Sequence, residues 1–199
     1  MSPISKVIAR TILALGIAAV LPAGAWAHSG HSTAPTAWNG MLHPLSGADH
    51  LLAMVATGLL AAKLGAGSWR VPVTFVLMTV VGAVFGLGHP SALIEASVAL
   101  SISCLGLLLL MPRSVSVIAA ALVAGLFGFL HGWAHGSEMP ASSASVAFLG
   151  GALVSTAALH LIGLLLGRSI NTLAPAMRLR GWYATGGAFV AAGVAVLAA

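Results

Sequence analysis

From Ser46 onward the chain is written in apolar runs of membrane length, separated by short breaks rich in Gly, Pro and Arg. Six runs can be marked, over 46–65, 70–88, 92–111, 115–135, 144–167 and 181–198. Each is close to the roughly twenty residues a helix needs to cross about 30 Å of hydrocarbon. Lipid offers no hydrogen bonds to backbone N–H and C=O, so runs of this kind fold as helices. Of the 199 residues, 59% are apolar and only 6% charged, whereas a soluble domain carries about 25% charged residues. The fold class expected is therefore all-α, a polytopic membrane bundle of six transmembrane helices occupying residues 46–199.

Two segments precede that bundle. Lys6 and Arg10, the apolar stretch Thr11 to Leu21 and the small-x-small triplet Ala25-Trp26-Ala27 make a Sec-type signal peptide over residues 1–27, which is set aside from the fold. Residues 28–45 then form a periplasmic leader, in which Ser32 to Asn39 reads as an exposed linker. Cleavage after Ala27 would start the mature chain at His28, with His31 close behind. Cleavage after Ala25 would place His28 third, an arrangement that favours square-planar Cu(II) or Ni(II). Two imidazoles beside a free amine suit metal capture; a polar leader without that role is equally compatible.

The charges fix the orientation. With the mature N-terminus outside, Lys63 and Arg70 flank the first inner turn, Arg113 the second, and Arg168, Arg178 and Arg180 the third. All Lys and Arg outside the signal thus face the cytoplasm, as the positive-inside rule requires. Both termini are then periplasmic and the location is the bacterial inner membrane. The net charge of +5 reflects orientation, and a nucleic-acid partner is excluded. The single cysteine, Cys104, reads as a small packed side chain. Stripes of small residues predict close helix contacts: Ala124, Gly128, Gly132 and Gly136 in the fourth run; Gly82 and Gly86 in the second; Ala184, Ala188 and Ala192, with Gly187, Ala191 and Ala195, in the sixth.

This map puts the titratable residues on one side. His43, Asp49 and His50 stand at the outer end of the first run, and Ser46 reads as its N-cap with Asp49 as partner in a capping box. His89 and Glu95 flank the next outer turn. His131, His135 and Glu138 end the fourth run at the same face. Imidazole and carboxylate are expensive at membrane depth and mark ion paths, relays or metals. His131 and His135, four apart, share one helix face, with Glu138 following on it. Asp49 can serve as ligand, as helix cap or as the group that orients an imidazole. Met54 reads as packing. His28, His31, His89, Glu95 and the deep His160 are candidates for approach or relay.

Two motifs carry a family resemblance. One is His43-Pro44-x-x-Gly47-x-Asp49-His50, followed by Met54; the other is His131-Gly132-x-Ala134-His135-Gly136-x-Glu138. Through them the chain resembles the HupE/UreJ family of bacterial nickel-transport and hydrogenase or urease accessory membrane proteins. Where the family pattern has Phe directly before its second-motif histidine, this chain has Leu130, with Phe129 one place earlier. The resemblance implies a metal set of His43, Asp49, His50, His131, His135 and Glu138, and nickel uptake by a permease rather than an enzyme. Ni2+, with Co2+ also admitted, would be cargo, and no permanently bound cofactor or catalytic residue is expected. The implied partners are the metal ion and the bilayer; a homo-oligomer and a metalloenzyme maturation protein stay open. No Walker motif is present. Two other readings also remain: an intramembrane zinc hydrolase with Glu138 as general base, although no His-Glu-x-x-His occurs, and a scaffold that presents metal to a partner.

Overall fold

The computed structural model describes residues 36–112, 115–139 and 144–198. The signal segment, His28, His31 and Arg113 lie outside the described residues. The described residues are helical, with seven helices: α1 (Ala37–Ser46), α2 (Ala48–Leu64), α3 (Arg70–Gly86), α4 (Ala92–Leu110), α5 (Val117–Glu138), α6 (Ala144–Asn171) and α7 (Pro175–Leu197). By length and hydropathy, α4, α5 and α6 can each cross a bilayer, and α1 with α2 makes a fourth candidate bent by 85°. At 17 residues α3 is shorter, while α7 is diluted by glycines and by Arg178 and Arg180. Large apolar side chains such as Leu77, Leu93, Leu122 and Val146 stand exposed around the bundle, while Thr57, Thr79, His131, His135 and Thr156 are buried within it. That inversion suits a lipid surround, and the protein is a membrane protein.

The first apolar run begins differently from the sequence expectation. Residues 37–39, the last of the expected linker, are not a linker but open the helix Ala37–Ser46, capped by the Thr36 hydroxyl, which accepts from the Asn39 N–H at 3.2 Å. Ser46 is not an N-cap: it ends α1, and its hydroxyl donates to the His43 carbonyl at 2.7 Å. Gly47 separates the helices in an extended conformation and is the residue that caps α2. Pro44, inside α1, has no N–H to give the preceding turn, so the helix is weakened just where the chain turns. As a result α1 lies across one end of the bundle, against α6. There the Ser155 hydroxyl donates to the Met41 carbonyl at 2.5 Å.

Below α1 the helices pack as close pairs, α3 with α5, α2 with α6 and α4 with α7. The α3–α5 pair follows the predicted stripes. A Cβ on Gly128, Gly132 or Gly136 would run into the carbonyl oxygens of Phe75, Thr79 and Ala83, and Gly82 and Gly86 meet the backbone of Phe129 and Trp133 in return. The sixth run is in part a correction: Gly186 and Gly193 make its close contacts, against Gly106 and Ser103, whereas Gly187 faces open space and Ala184, Ala191 and Ala195 are exposed; of the expected residues Ala192 is buried in the core. The core holds Met54, Leu60, Phe75, Ile102, Leu105 and Leu109, all with no exposed surface, and Cys104 packs against it.

At the end away from α1, polar groups tie four helices, α2, α4, α6 and α7. The buried Lys63 ammonium donates to the carbonyls of Leu109 and Met111 at the end of α4 and lies 5.7 Å from the Trp182 ring centre. The Asn171 amide donates to the Ala62 carbonyl at 2.8 Å and accepts from the Trp182 indole at 3.2 Å.

Candidate metal site

The bend at Gly47 folds His43 back over His50. The two rings are 5.7 Å apart between centres. On the facing side, α5 supplies His135, 4.8 Å from the His43 ring and 4.7 Å from the His50 ring. One nitrogen from each of His43, His50 and His135 lies within 4.8 Å of the other two. A metal bound by imidazoles holds nitrogens about 2.1 Å away and roughly 3.4 Å apart in a tetrahedron. Small side-chain rotations would therefore bring the three onto one ion.

The surrounding groups decide which nitrogens are free. Asp49 Oδ1 accepts from the His50 backbone N–H at 2.8 Å and sits 2.9 Å from His50 Nδ1. That nitrogen therefore carries the proton, and Nε2 presents its lone pair. Asp49 is thus neither the partner of a Ser46 cap nor turned toward the triad. It orients the His50 ring. His131 lies beneath, 5.1 Å from the His50 ring, and its Nδ1 donates to the Phe127 carbonyl at 2.8 Å, which again leaves Nε2 as the acceptor. His50 Nε2, His131 Nε2 and both nitrogens of His135 are buried with no hydrogen-bond partner. A buried polar atom left unpaired costs about 1–3 kcal/mol, and folded proteins avoid such atoms. Four on three neighbouring rings is what a ligand cluster without its ion would leave.

At the mouth, Glu138 Oε2 is 3.2 Å from His43 Nε2, and the Glu138 side chain is 55% exposed. The carboxylate can meet an ion in solvent and hand it to His43. All six residues of the predicted set therefore gather at one end of the bundle, in three layers: Glu138 and His43 outermost, His50 with Asp49 and His135 next, and His131 deepest. His89 and Glu95 are exposed on a neighbouring turn and lie outside the histidine triad, with the Glu95 charge close enough to act on Glu138; the His89 carbonyl accepts from the Trp133 indole at 2.8 Å. His160 is buried well below, against Phe75 at 5.1 Å. Met54 is wholly buried in the core, where it packs.

Two residues of the site escaped the sequence reading. Phe148, 5.4 Å from His43, walls the triad from α6. Phe75 lies 5.2 Å from His131 and closes the cluster from below. Each looked like any other apolar residue in its run. The one signal available was the four-residue spacing Phe148, Ala152, Thr156, His160, which aligns Phe148 with the deep histidine.

A family model described as HupE / UreJ protein matches residues 8–196. Protein HupE of Rhizobium leguminosarum bv. viciae is 39% identical over 150 residues, covering 74% of this chain and 78% of that protein. No solved structure matches. With nearly the whole length matched, including both histidine motifs, the chain belongs to the HupE/UreJ family.

Proposed function

We propose that the protein is a secondary permease that carries a divalent transition-metal ion, nickel first and cobalt second, inward across the bacterial inner membrane. The metal would supply hydrogenase or urease maturation. HupE/UreJ proteins are accessory transport proteins and not enzymes, which sets the hydrolase reading aside. The observation that carries the proposal is the triad of His43, His50 and His135, half-buried at His43 and closing over at His135, at one mouth of an apolar bundle. Imidazole with carboxylate suits nickel, cobalt, copper and zinc alike, so the choice of nickel rests on the family.

In this reading α1 with α2 and each of α3 to α7 span the bilayer, after a cleaved signal peptide, with both termini periplasmic. Glu138 and His43 capture the ion and strip its water. His50, held in one tautomer by Asp49, joins His135 to bind it, and His131 receives it next. Binding must be weak enough for release, which suits neutral ligands with only one carboxylate in direct reach. A membrane potential supplies about 4.6 kcal/mol per 100 mV to a doubly charged ion, twice the value for a single charge. That is enough for a roughly thousandfold gradient without ATP. The scaffold reading has little to dock on, because the loops at the Lys63 end over 65–69 and 172–174 are short.

The test is accumulation of radioactive nickel by a bacterium lacking its own importers, with membrane levels matched by blot. The wild type should accumulate nickel, and His50→Ala and His135→Ala should each lower uptake at least tenfold. Uptake that survives both substitutions would make these histidines structural.

A further inference from the structure

The outer cluster accounts for less than half of the crossing. Along α6, at 1.5 Å per residue, His160 lies about 18 Å below Phe148, and the hydrocarbon layer is about 30 Å thick. An ion released from His131 must cross that depth. Beyond the outer rings and Thr185, the buried side-chain atoms without a hydrogen-bond partner among the described residues are Thr156 Oγ1 and His160 Nδ1 and Nε2. Thr156 has no exposed surface and His160 is 5% exposed. They are one turn apart on the α6 face that also carries Phe148 and Ala152, all four buried. Unpaired polar atoms thus continue down the bundle on the helix that walls the outer triad.

Between the two groups stands Phe75. Fully buried, its ring is 5.2 Å from His131 and 5.1 Å from His160. An apolar ring in that place offers no ligand and separates two sets of imidazoles. Below it, His160 lines an open, largely apolar groove of about 620 Å³ between α2, α3 and α6, whose wall includes Gly58, Ala157 and the exposed Leu77 and Leu161 and reaches Ser68 and Arg168. Ser68 and Arg168 belong to the end of the bundle opposite Glu138. His160 therefore stands where the buried file meets an opening on the other side.

We propose that His160, with the Thr156 hydroxyl above it, forms a second, inner binding site for a divalent transition-metal ion, parted from the outer cluster by the Phe75 ring and open to the groove at the Arg168 end. The proposal rests on the transport reading and extends it. Two sites in series let the outer one bind tightly enough to capture while the inner one, with a single imidazole and a hydroxyl, releases. The ion passes when the Phe75 ring swings aside, and it leaves through the groove.

Two experiments test this. In the first, nickel binding to the purified protein in nanodiscs is titrated calorimetrically alongside cellular uptake. The wild type should show a tight and a weak event. His160→Ala and Thr156→Val should keep the tight event and lose the weak one, with uptake falling at least tenfold for His160→Ala. His160→Gln, which preserves bulk, serves as the second variant, and an unchanged thermal midpoint shows it folded. Uptake and a weak event that survive both His160 substitutions overturn the inner site and leave the outer reading intact. A wild type that neither binds nor accumulates nickel removes both. In the second experiment, Ala157→Cys, on the groove wall, is compared with Ala158→Cys, its exposed neighbour outside that wall, in a Cys104→Ala background. A membrane-impermeant cationic thiol reagent applied from the cytoplasmic side should label the first and spare the second. Equal resistance of both, with labelling only by a lipid-soluble maleimide, would make the groove lipid-filled and overturn the proposal.

Discussion

Asp49 shows how much one carboxylate can decide through its neighbour. Its Oδ1 holds the His50 backbone N–H and Nδ1 at 2.8 and 2.9 Å, so it sets both the start of α2 and the tautomer of His50. Removing such a partner typically costs 10–100-fold in metal affinity. Asp49→Ala should weaken nickel binding by about that factor, and Asp49→Asn, which keeps an acceptor for Nδ1–H, should recover part of it; calorimetric titration of the two purified variants checks this. Gly47 belongs to the same unit, because a Cβ there would lie 2.7 Å from Asp49 Oδ1. Gly47→Ala should push the carboxylate off His50 and lower affinity in the same direction, by an amount read in the same titration. Spacing alone brought the right residue types to notice, since His131 and His135 are one turn apart and Asp49 adjoins His50. It left Asp49 with three roles, because adjacent residues point about 100° apart on a helix and the choice depends on a bend no spacing rule contains. Ser46 was misread for the same reason: a Ser before an apolar run resembles a cap, but the helix before it reaches as far as Ser46 and Gly47 takes the break.

At the scale of helices, small residues set how near α3 and α5 come, and so where His131 and His135 stand. The contact is backbone to backbone, with Gly132 against the Thr79 carbonyl and Gly136 against that of Ala83. Lipid adds no hydrophobic drive between helices, so this close packing is what holds the pair. Overpacking costs about 1–3 kcal/mol where neighbours can yield, and backbone yields little. Gly132→Val should therefore lower the thermal midpoint by several degrees and weaken metal binding, while Gly187→Val, pointing into open space, should change neither; a thermal scan in detergent separates the two. The α3–α5 stripes were legible because other faces of α5 carry Leu and Phe, so the glycines stand out. In α7, Gly and Ala occupy every face, and choosing Gly187, Ala191 and Ala195 over Gly186 and Gly193 could not be settled by spacing.

Across the whole molecule the two ends are held by different chemistry. Histidines with unpaired nitrogens crowd one mouth, while at the other Lys63, Asn171 and Trp182 satisfy one another and the backbone. Lys63 was legible only as a charge that marks the inner side. Its burial and its reach to the Leu109 and Met111 carbonyls depend on how α2 packs on α4, which hydropathy does not encode. A cation at a helix C-terminus is favourable, and in a membrane those carbonyls have no water to fall back on. Lys63→Met keeps much of the apolar stem and removes the donor, so it leaves two carbonyls short at about 1–3 kcal/mol each. The thermal midpoint should fall, and by more than for Gly187→Val. Metal binding should not follow it: Lys63 is thirteen residues along α2 from His50, about 20 Å at 1.5 Å per residue. The outer triad is built from α1, the first turn of α2 and the last turns of α5. An unchanged nickel affinity in a less stable protein would mean that the outer site is set locally, by the bend and the glycine stripe. An affinity that falls with the midpoint would mean that the inner latch sets the height of α2, and so the position of His50 beneath His43.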